Sequence, residues 1–184
     1  MERKPYKNAL ENRRYIILAF AEIMEKKPFH EVAVTEVCKK AGVSKNTFYR
    51  HFESLSDVIY QSISEINDSL LEETYALKSH KVDDFISIVC RGWYENRVIY
   101  KGFTQDETIY IIRSMIRKDI IEFFERNHIE KGSDDLFFEF FSAAFCIFLR
   151  WWCLRDFAQP PEEIGARIKE YLYGNVFADM EKYL

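Results

Sequence analysis

Apolar residues recur along most of the chain at intervals of three and four positions, the spacing that places them on one face of an α-helix. In the first such segment, from Asn8 to Lys27, the apolar face includes Ile16, Phe20 and Met24. Pro28 ends the segment, because the residue before a proline disfavours the α conformation. The pattern predicts an amphipathic first helix.

The same spacing predicts seven further helices and no strand. Only 6 Gly and 4 Pro occur in 184 residues, and no segment shows the strict alternation of a strand bounded by turn residues. The expected fold class is therefore all-α. The further helices are predicted at residues 34–40, 45–51, 55–78, 82–97, 105–127, 133–157 and 161–184.

Several residues at the predicted helix ends favour these boundaries. Ser44 is a good N-cap for the helix that begins at residue 45, and Ser133 is one for the helix of residues 133–157. Ser54 is followed three residues later by Asp57, an arrangement similar to a capping box. Gly42 lies between two short helices, where a turn requires a residue that adopts positive φ.

Composition places the chain among globular proteins of one large or two small domains. Hydrophobic residues make up 48% and charged residues 30%. The first residues contain no apolar run of the kind that a secretory signal needs, which predicts a cytoplasmic protein. The four cysteines form no CxxC pair, so we expect buried thiols in a reducing compartment.

The stretch from Leu136 to Leu154 is the candidate membrane span. It is 19 residues long but contains Glu139, Ser142 and Arg150. Two charges within one span would be costly in lipid. A helix buried in a core or a subunit interface is the favoured interpretation, and no membrane contact is expected.

Charge is distributed unevenly although the formal net charge is only −4. Through Tyr60 the chain carries 11 Lys and Arg against 8 Asp and Glu, whereas the rest carries 15 against 22. A basic N-terminal part followed by an acidic remainder fits a protein in which only the N-terminal part binds an anion. The excess is modest, so charge by itself does not identify DNA as that anion.

The segment from Val34 to Phe52 has the pattern of a helix-turn-helix, whose second helix enters the major groove of DNA. Ala41 lets the two short helices cross closely, and Val43 and Phe48 pack the turn onto the first helix. The residues left to face outward provide two cations, an amide, a hydroxyl and a phenol, which suit phosphates and base edges. They are Lys45, Asn46, Thr47, Tyr49 and Arg50.

Three runs and one further residue carry a resemblance to a known family: Ala41 to Ser44, Thr47 to Tyr49, His51 to Phe52, and Ser54. Gap-free from Arg14 to Ile59, the chain resembles the TetR family of bacterial transcription regulators. The resemblance implies that residues 45–50 are the recognition helix.

The resemblance also implies roles for individual residues. Lys45 and Asn46 are expected to read bases, and most of the others to contact phosphates. His51 has an alternative role, which is to pack against the first helix. The predicted DNA-binding residues are Ser44, Lys45, Asn46, Thr47, Tyr49, Arg50, His51 and Ser54.

The chain departs from the family pattern at three positions. Ala33 stands where the family usually has a capping Thr, which weakens the second helix by about 1 kcal/mol. Pro28 replaces a usual Gly. Leu55 replaces a usual Lys that touches phosphate, although the helix amides behind Ser54 remain available to an anion.

The resemblance implies a DNA-binding domain at residues 1–54 and a helical ligand-binding and dimerisation domain at residues 55–184. Residues 136–157 hold seven of the 16 Phe and two of the three Trp, too much aromatic surface for a monomer to expose. Residues 140–171 also resemble the C-terminal region of one TetR subgroup. The predicted dimer interface contains Phe145, Phe148, Trp152, Ile168 and Leu172.

A ligand pocket is expected among the helices of residues 58–145. No charged residue falls clearly on an inward face, which predicts an apolar or aromatic ligand. Each candidate also fits an ordinary core position. The candidates are Ile63, Phe85, Val89, Trp93, Phe103, Tyr110, Met115 and Phe141.

These observations predict a homodimeric regulator that binds a palindromic operator on double-stranded DNA. We expect a repressor relieved by a small molecule, with the long helix from Leu55 transmitting the change. The alternative is a DNA-tethered interaction module whose body binds a protein partner. No phosphate loop, HExxH or GxSxG motif occurs, and the four histidines are scattered. No catalysis, metal or cofactor is therefore expected.

Overall fold

A computed structural model describes residues 5–77, 81–129 and 134–173. Within these ranges the chain forms nine α-helices and no strand, which confirms the all-α prediction. The helices are α1 Pro5–Met24, α2 Val34–Ala41, α3 Lys45–His51, α4 Leu55–Ala76, α5 Val82–Glu95, α6 Arg97–Phe103, α7 Ile109–Arg126, α8 Asp135–Cys153 and α9 Pro161–Tyr173. A short 3₁₀ turn, Phe29–Glu31, separates α1 from α2.

The helix boundaries differ from the prediction mainly between residues 95 and 109. The predicted helix of residues 82–97 ends at Glu95, and the separate helix α6 follows it. The helix predicted from residue 105 begins only at Ile109, because residues 104–108 form a turn, here called the α6–α7 loop. Thr108 stabilises this loop by donating its hydroxyl to the carbonyl of Phe103 over 2.6 Å. The predicted extension of α9 beyond residue 173 lies outside the described residues.

Two long helices begin with side-chain caps. At α4, the hydroxyl of Ser54 accepts the Asp57 amide at 3.1 Å, and the Asp57 carboxylate accepts the Glu53 amide at 2.8 Å. The predicted capping interaction at Ser54 is thus confirmed. At α8 the cap is Asp134, which accepts the amide three residues later at 2.8 Å. Ser133, the predicted cap, lies outside the described residues.

Helix α1 joins the two halves of the molecule, which are the N-terminal helices α1 to α3 and the body, α4 to α9. It packs against α2 and α3 in its own half and against α6 in the body. At that crossing Gly102 is essential to the close approach, since a Cβ there would overlap the backbone of Ala21. The rings of Phe20 and Phe103 pack beside it with centroids 5.2 Å apart. The predicted division after residue 54 falls at the start of α4, yet one hydrophobic core runs continuously through both halves.

The α6–α7 loop provides a second connection between the halves. The side-chain amide of Gln105 donates to the carbonyl of Met24 and, over 3.1 Å, to that of Lys27. The carboxylate of Glu107 accepts the backbone N–H of His30 at 3.0 Å. Unpaired carbonyls at the end of α1 and an unpaired amide of the 3₁₀ turn thereby gain partners from the body.

Helix α8 is apolar on both its inner and outer faces. Its inner face, which includes Phe145, Leu149 and Trp152, is buried in the core of the chain itself. Its outer face carries an apolar stripe, Leu136, Phe140, Ile147 and Leu154, whose side chains are 65–76% exposed. Among the described helices, α8 alone is long and apolar enough to cross a membrane by length and composition.

This orientation of α8 corrects part of the predicted dimer interface. Phe145, Trp152 and Ile168 are at most 4% exposed within one protomer and cannot face a partner. The reason is that a helix apolar all round has no polar face to show which side is inward. Phe148 and Leu172 are half-buried and remain accessible.

Candidate nucleic-acid interface

The turn between α2 and α3 is built by Gly42. This residue adopts the left-handed conformation, with φ of 69°, as the sequence predicted. Its amide donates to the Lys39 carbonyl, and the Val43 amide donates to the Cys38 carbonyl at 3.0 Å. At the other end of α2, Ala33 makes no side-chain capping bond. The helix therefore depends on its C-terminal turn and its packing rather than on an N-cap.

Helix α3 is held in place by its cap and one buried ring. The Ser44 hydroxyl accepts the Thr47 amide at 3.1 Å and lies 2.9 Å from the Thr47 hydroxyl. Phe48 is fully buried, and its ring packs against Phe52 with centroids 5.9 Å apart. These contacts fix the rotation of α3 about its axis.

The opposite face of α3 is open to solvent. Lys45, Asn46, Tyr49 and Arg50 are all exposed, and their spacing places them on one side of the helix. We call these four residues the recognition face. Thr47 is half-buried, and its hydroxyl is engaged with Ser44. The structure thus brings together two cations, an amide and a phenol at the surface.

His51 lies at the edge of the recognition face and is half-buried. Burial lowers the pKa of its imidazole, and the neighbouring cations Arg50 and Arg13 lower it further. Both effects favour the neutral form of the ring. Its Nε2 atom is buried and has no hydrogen-bond partner among the described residues. Both predicted roles, packing and phosphate contact, are compatible with this position.

The start of α4 lies next to α3. Ser54 is exposed, and its hydroxyl accepts the Asp57 amide as the cap of α4. The predicted contact between Ser54 and a phosphate would therefore have to form alongside this hydrogen bond. Leu55, which stands where the family usually has Lys, is only 8% exposed and packs in the core. Leu55 therefore contributes to stability and offers nothing to a phosphate.

The body contains a small cavity between α4, α5, α7 and α8. Three residues predicted to line a pocket do so: Phe85, Val89 and Trp93. Tyr110 does not, because it is 66% exposed on the surface of α7. The remaining candidates lie away from the cavity lining, buried in the core or, for Phe141, half-buried. They are Ile63, Phe103, Met115 and Phe141.

Asp119 lines the same cavity, although it was not among the predicted pocket residues. Burial raises the pKa of its carboxyl to about 7, although a hydrogen bond from the Asn67 amide, 2.5 Å long, opposes the rise. The Tyr100 hydroxyl in turn donates to the Asn67 carbonyl oxygen at 3.1 Å. The expectation that no charged residue faces inward was wrong. Asp119 follows Ile116 by three positions and precedes Phe123 by four, so helical spacing alone places it inward.

Two family models match the chain. A model described as bacterial regulatory proteins of the TetR family matches residues 16–58. A model described as a transcriptional regulator C-terminal region matches residues 83–174, which is half of the chain. No curated protein matches the chain.

Several solved structures share the fold at low sequence identity. Lin0861 from Listeria innocua is 12% identical, with a TM-score of 0.73 and 94% of each chain covered. NalD of Pseudomonas aeruginosa, the secondary repressor of a multidrug efflux pump, is 16% identical, with a TM-score of 0.61 and 90% of this chain and 96% of that chain covered. The dihydroxyacetone kinase operon activator DhaS is 17% identical, with a TM-score of 0.54 over 91% and 97%.

The family models and the fold agree with the geometry of the helix-turn-helix. The model of residues 16–58 spans the C-terminal part of α1 and all of α2 and α3, including the recognition face. The second model covers the body from α5 to α9. The chain therefore belongs to the TetR family of bacterial transcription regulators, which are DNA-binding proteins and not enzymes.

Proposed function

We propose that the protein is a homodimeric transcription regulator that binds a palindromic operator in the bacterial cytoplasm. The recognition face of α3 is the observation that carries this proposal. Its four side chains are exposed while Phe48 on the same helix is fully buried. A rigid helix that presents cations, an amide and a phenol is suited to the major groove.

Base reading is assigned to Lys45 and Asn46, at the N-terminal end of α3. In helix-turn-helix proteins this end of the recognition helix contacts base edges. Lys45 donates to guanine acceptors, and the Asn46 amide can pair with adenine. Tyr49 and Arg50, one turn later, are placed to contact phosphates and fix the position of the helix.

A second copy of this chain is the proposed occupant of the apolar stripe on α8. The stripe continues onto α9 through a groove of about 380 Å³ lined by Ile147, Phe148, Trp151, Ile164, Arg167 and Tyr171. Two copies related by a twofold axis would cover each other's stripes with one self-complementary contact. The same axis would present two recognition helices to the two halves of a palindrome.

Repression relieved by a small molecule is the proposed mode of regulation. NalD, which shares the fold, is a repressor, whereas DhaS is an activator, so the fold permits either sign. Helix α4 supports a ligand-driven mechanism, because Asn67 and Leu70 line the cavity while Ser54 caps its other end beside α3. A ligand that favours one position of α4 would shift the population of DNA-competent dimers.

Selection of genomic fragments by the purified protein tests DNA recognition. We expect one near-palindromic site, bound more weakly as salt rises because phosphate contacts release counterions. The double variant Lys45→Ala with Tyr49→Phe should lose about 2 kcal/mol or more of binding free energy. The control Lys118→Ala with Tyr110→Phe removes the same groups from exposed positions on α7 and should bind normally. Equal affinities for both double variants would disprove the recognition-face assignment.

Sedimentation equilibrium tests the dimer. The wild type should be dimeric, and Ile147→Glu should weaken dimerisation strongly, because a twofold axis buries the new charge in both copies. Leu77→Glu is the matched control, since Leu77 is an exposed apolar residue at the end of α4, outside the stripe. A monomeric wild type would refute the dimer and favour the alternative in which the stripe binds another protein.

A further inference from the structure

The cavity in the body is small and mostly apolar. The volume within which the centre of a water molecule can lie is about 20 Å³, so the cavity holds roughly one water. Its apolar lining consists of three aromatic side chains and five aliphatic ones. The aromatic ones are Phe85, Trp93 and Phe145, and the aliphatic ones are Leu70, Leu71, Val89, Ile116 and Ile120. A ligand larger than water must therefore displace lining side chains, and most of the side chains that it contacts are apolar.

The polar part of the lining consists of Asn67 and Asp119. Asn67 is held in one orientation, because its carbonyl oxygen accepts the Tyr100 hydroxyl while its amide donates to Oδ2 of Asp119. This leaves Asp119 as an acceptor whose other oxygen is not used by Asn67. The residue is 9% exposed and lies against the cavity.

No cation of the described chain pairs with this carboxylate. No Lys or Arg in the described ranges lies within salt-bridge distance of Asp119, whereas most of the surface carboxylates near it on α7 and α8, such as Glu122 and Glu139, do have such partners. A buried carboxylate in a mostly apolar lining is costly without a positive charge beside it. The site is therefore complementary to a cation that brings its own apolar body.

We propose that this cavity binds an aromatic molecule carrying a protonated amine, with the ammonium group donating to Asp119 and the ring packing among Phe85, Trp93 and Phe145. This inference rests on the proposed function only in that the amine would be the effector. The ammonium group completes an ion pair with Asp119, and the rings supply the apolar contact. The ring needs room, which the lining side chains would have to provide by moving apart.

Four probes with one skeleton test the ligand class: 2-phenylethylamine, 2-phenylethanol, phenylacetate and ethylbenzene. They share a phenyl ring and a two-carbon chain framework and differ in the terminal group. Dissociation constants are measured on the full-length wild-type protein by calorimetry at pH 7.5. The amine should bind at least about tenfold tighter than the alcohol, because its hydrogen bond is charge-assisted. Phenylacetate should bind most weakly.

Variants assign the preference to one side chain. Asp119→Asn keeps the shape of the side chain and an acceptor for Asn67, and should reduce the amine-over-alcohol ratio to near one. Asp68→Asn is the control, because it removes an exposed negative charge next to Asn67 on α4 and should preserve the ratio. The ranking on the wild type stands as a test even where Asp119→Asn fails to fold.

Three results would overturn the inference: phenylacetate or ethylbenzene binding as tightly as the amine, an unchanged ratio in Asp119→Asn, or no binding of any probe at millimolar concentration. None of these would touch the proposed function. Operator selection by the unliganded protein decides that separately, so the two failures are distinguishable.

Discussion

Replacing Asp119 by Asn should change how the stability of the protein depends on pH. Burial raises the pKa of the Asp119 carboxyl from its ordinary value of 3.8 to about 7. Between these values the folded state holds a proton that the unfolded state has released. The stability contributed by protonated Asp119 is thus fully present below pH 4 and is lost as pH rises through 7. About three pKa units correspond to roughly 4 kcal/mol.

Unfolding by urea, followed by circular dichroism, measures this effect in the wild type and in Asp119→Asn. The two proteins are compared at the same protein concentration. The side-chain amide introduced by Asp119→Asn cannot ionise but can still accept the Asn67 amide, so the difference between variant and wild type isolates the carboxyl. The free energy of unfolding of Asp119→Asn, relative to wild type, should rise by roughly 4 kcal/mol between pH 4 and pH 8. The other titrating groups are common to both proteins and cancel.

Parallel pH profiles for Asp119→Asn and wild type would refute this reasoning, because they would mean that the carboxyl is hydrated in solution. A difference of the opposite sign would mean that a cation pairs with it. Glu125→Gln serves as the control and should follow the wild type, since Glu125 is an exposed carboxylate on the same helix.

Three further experiments test separate features of the fold. Gly102→Ala should lower the free energy of unfolding by about 1–3 kcal/mol in urea melts, because the new Cβ would overlap the backbone of α1. The control Gly165→Ala should not destabilise the protein, because its Cβ would have no neighbour nearer than 3.9 Å. Ser54→Ala should cost about 1 kcal/mol in thermal melts through the lost cap, and Ser56→Ala, in the first turn of α4 and exposed, should cost little; equal losses would contradict the capping role. Burial raises the pKa of the Cys90 thiol to about 12, so Ellman's reagent at pH 8 should label it only after unfolding, and rapid labelling of the native protein would contradict its burial.

The helix-turn-helix could be predicted closely because its determinants are local. Ser44 caps α3, Gly42 makes the turn, and Phe48 sets the inward face, each through residues within a few positions. The predicted span of residues 45–51 therefore matches α3. Local rules of capping and turn formation leave few alternatives in so short a motif.

The break between α5 and α6 could not be predicted in the same way. The sequence around Asn96, from Tyr94 to Tyr100, contains neither Pro nor Gly to mark a helix end. In the structure Asn96 ends α5, and its side-chain amide bonds to the Gly92 carbonyl at 3.0 Å. The chain changes direction there because α6 must cross α1 at Ala21, a contact between residues that are far apart in the sequence.

The faces of α8 and the cavity depended on tertiary packing as well. The apolar residues of α8 occur on all sides of the helix. Their periodicity could therefore not distinguish Phe145, which is buried, from Ile147, which is exposed. Asp119 is different, because its place between Ile116 and Phe123 on the inward face was visible in the sequence. What the sequence did not show is that Asn67, on another helix, would meet it.

The crossing of α1 by α6 limits how this regulator can be recombined with others. A graft that moved residues 1–54 onto a foreign body would expose the side of α1 that Gly102 now covers. It would also remove Gln105, whose amide bonds to the carbonyls that end α1. DNA specificity should therefore transfer better by exchanging the four exposed side chains of α3 than by exchanging whole segments. The unit of exchange between such proteins is then a helix surface, and α1 must evolve together with the body that it contacts.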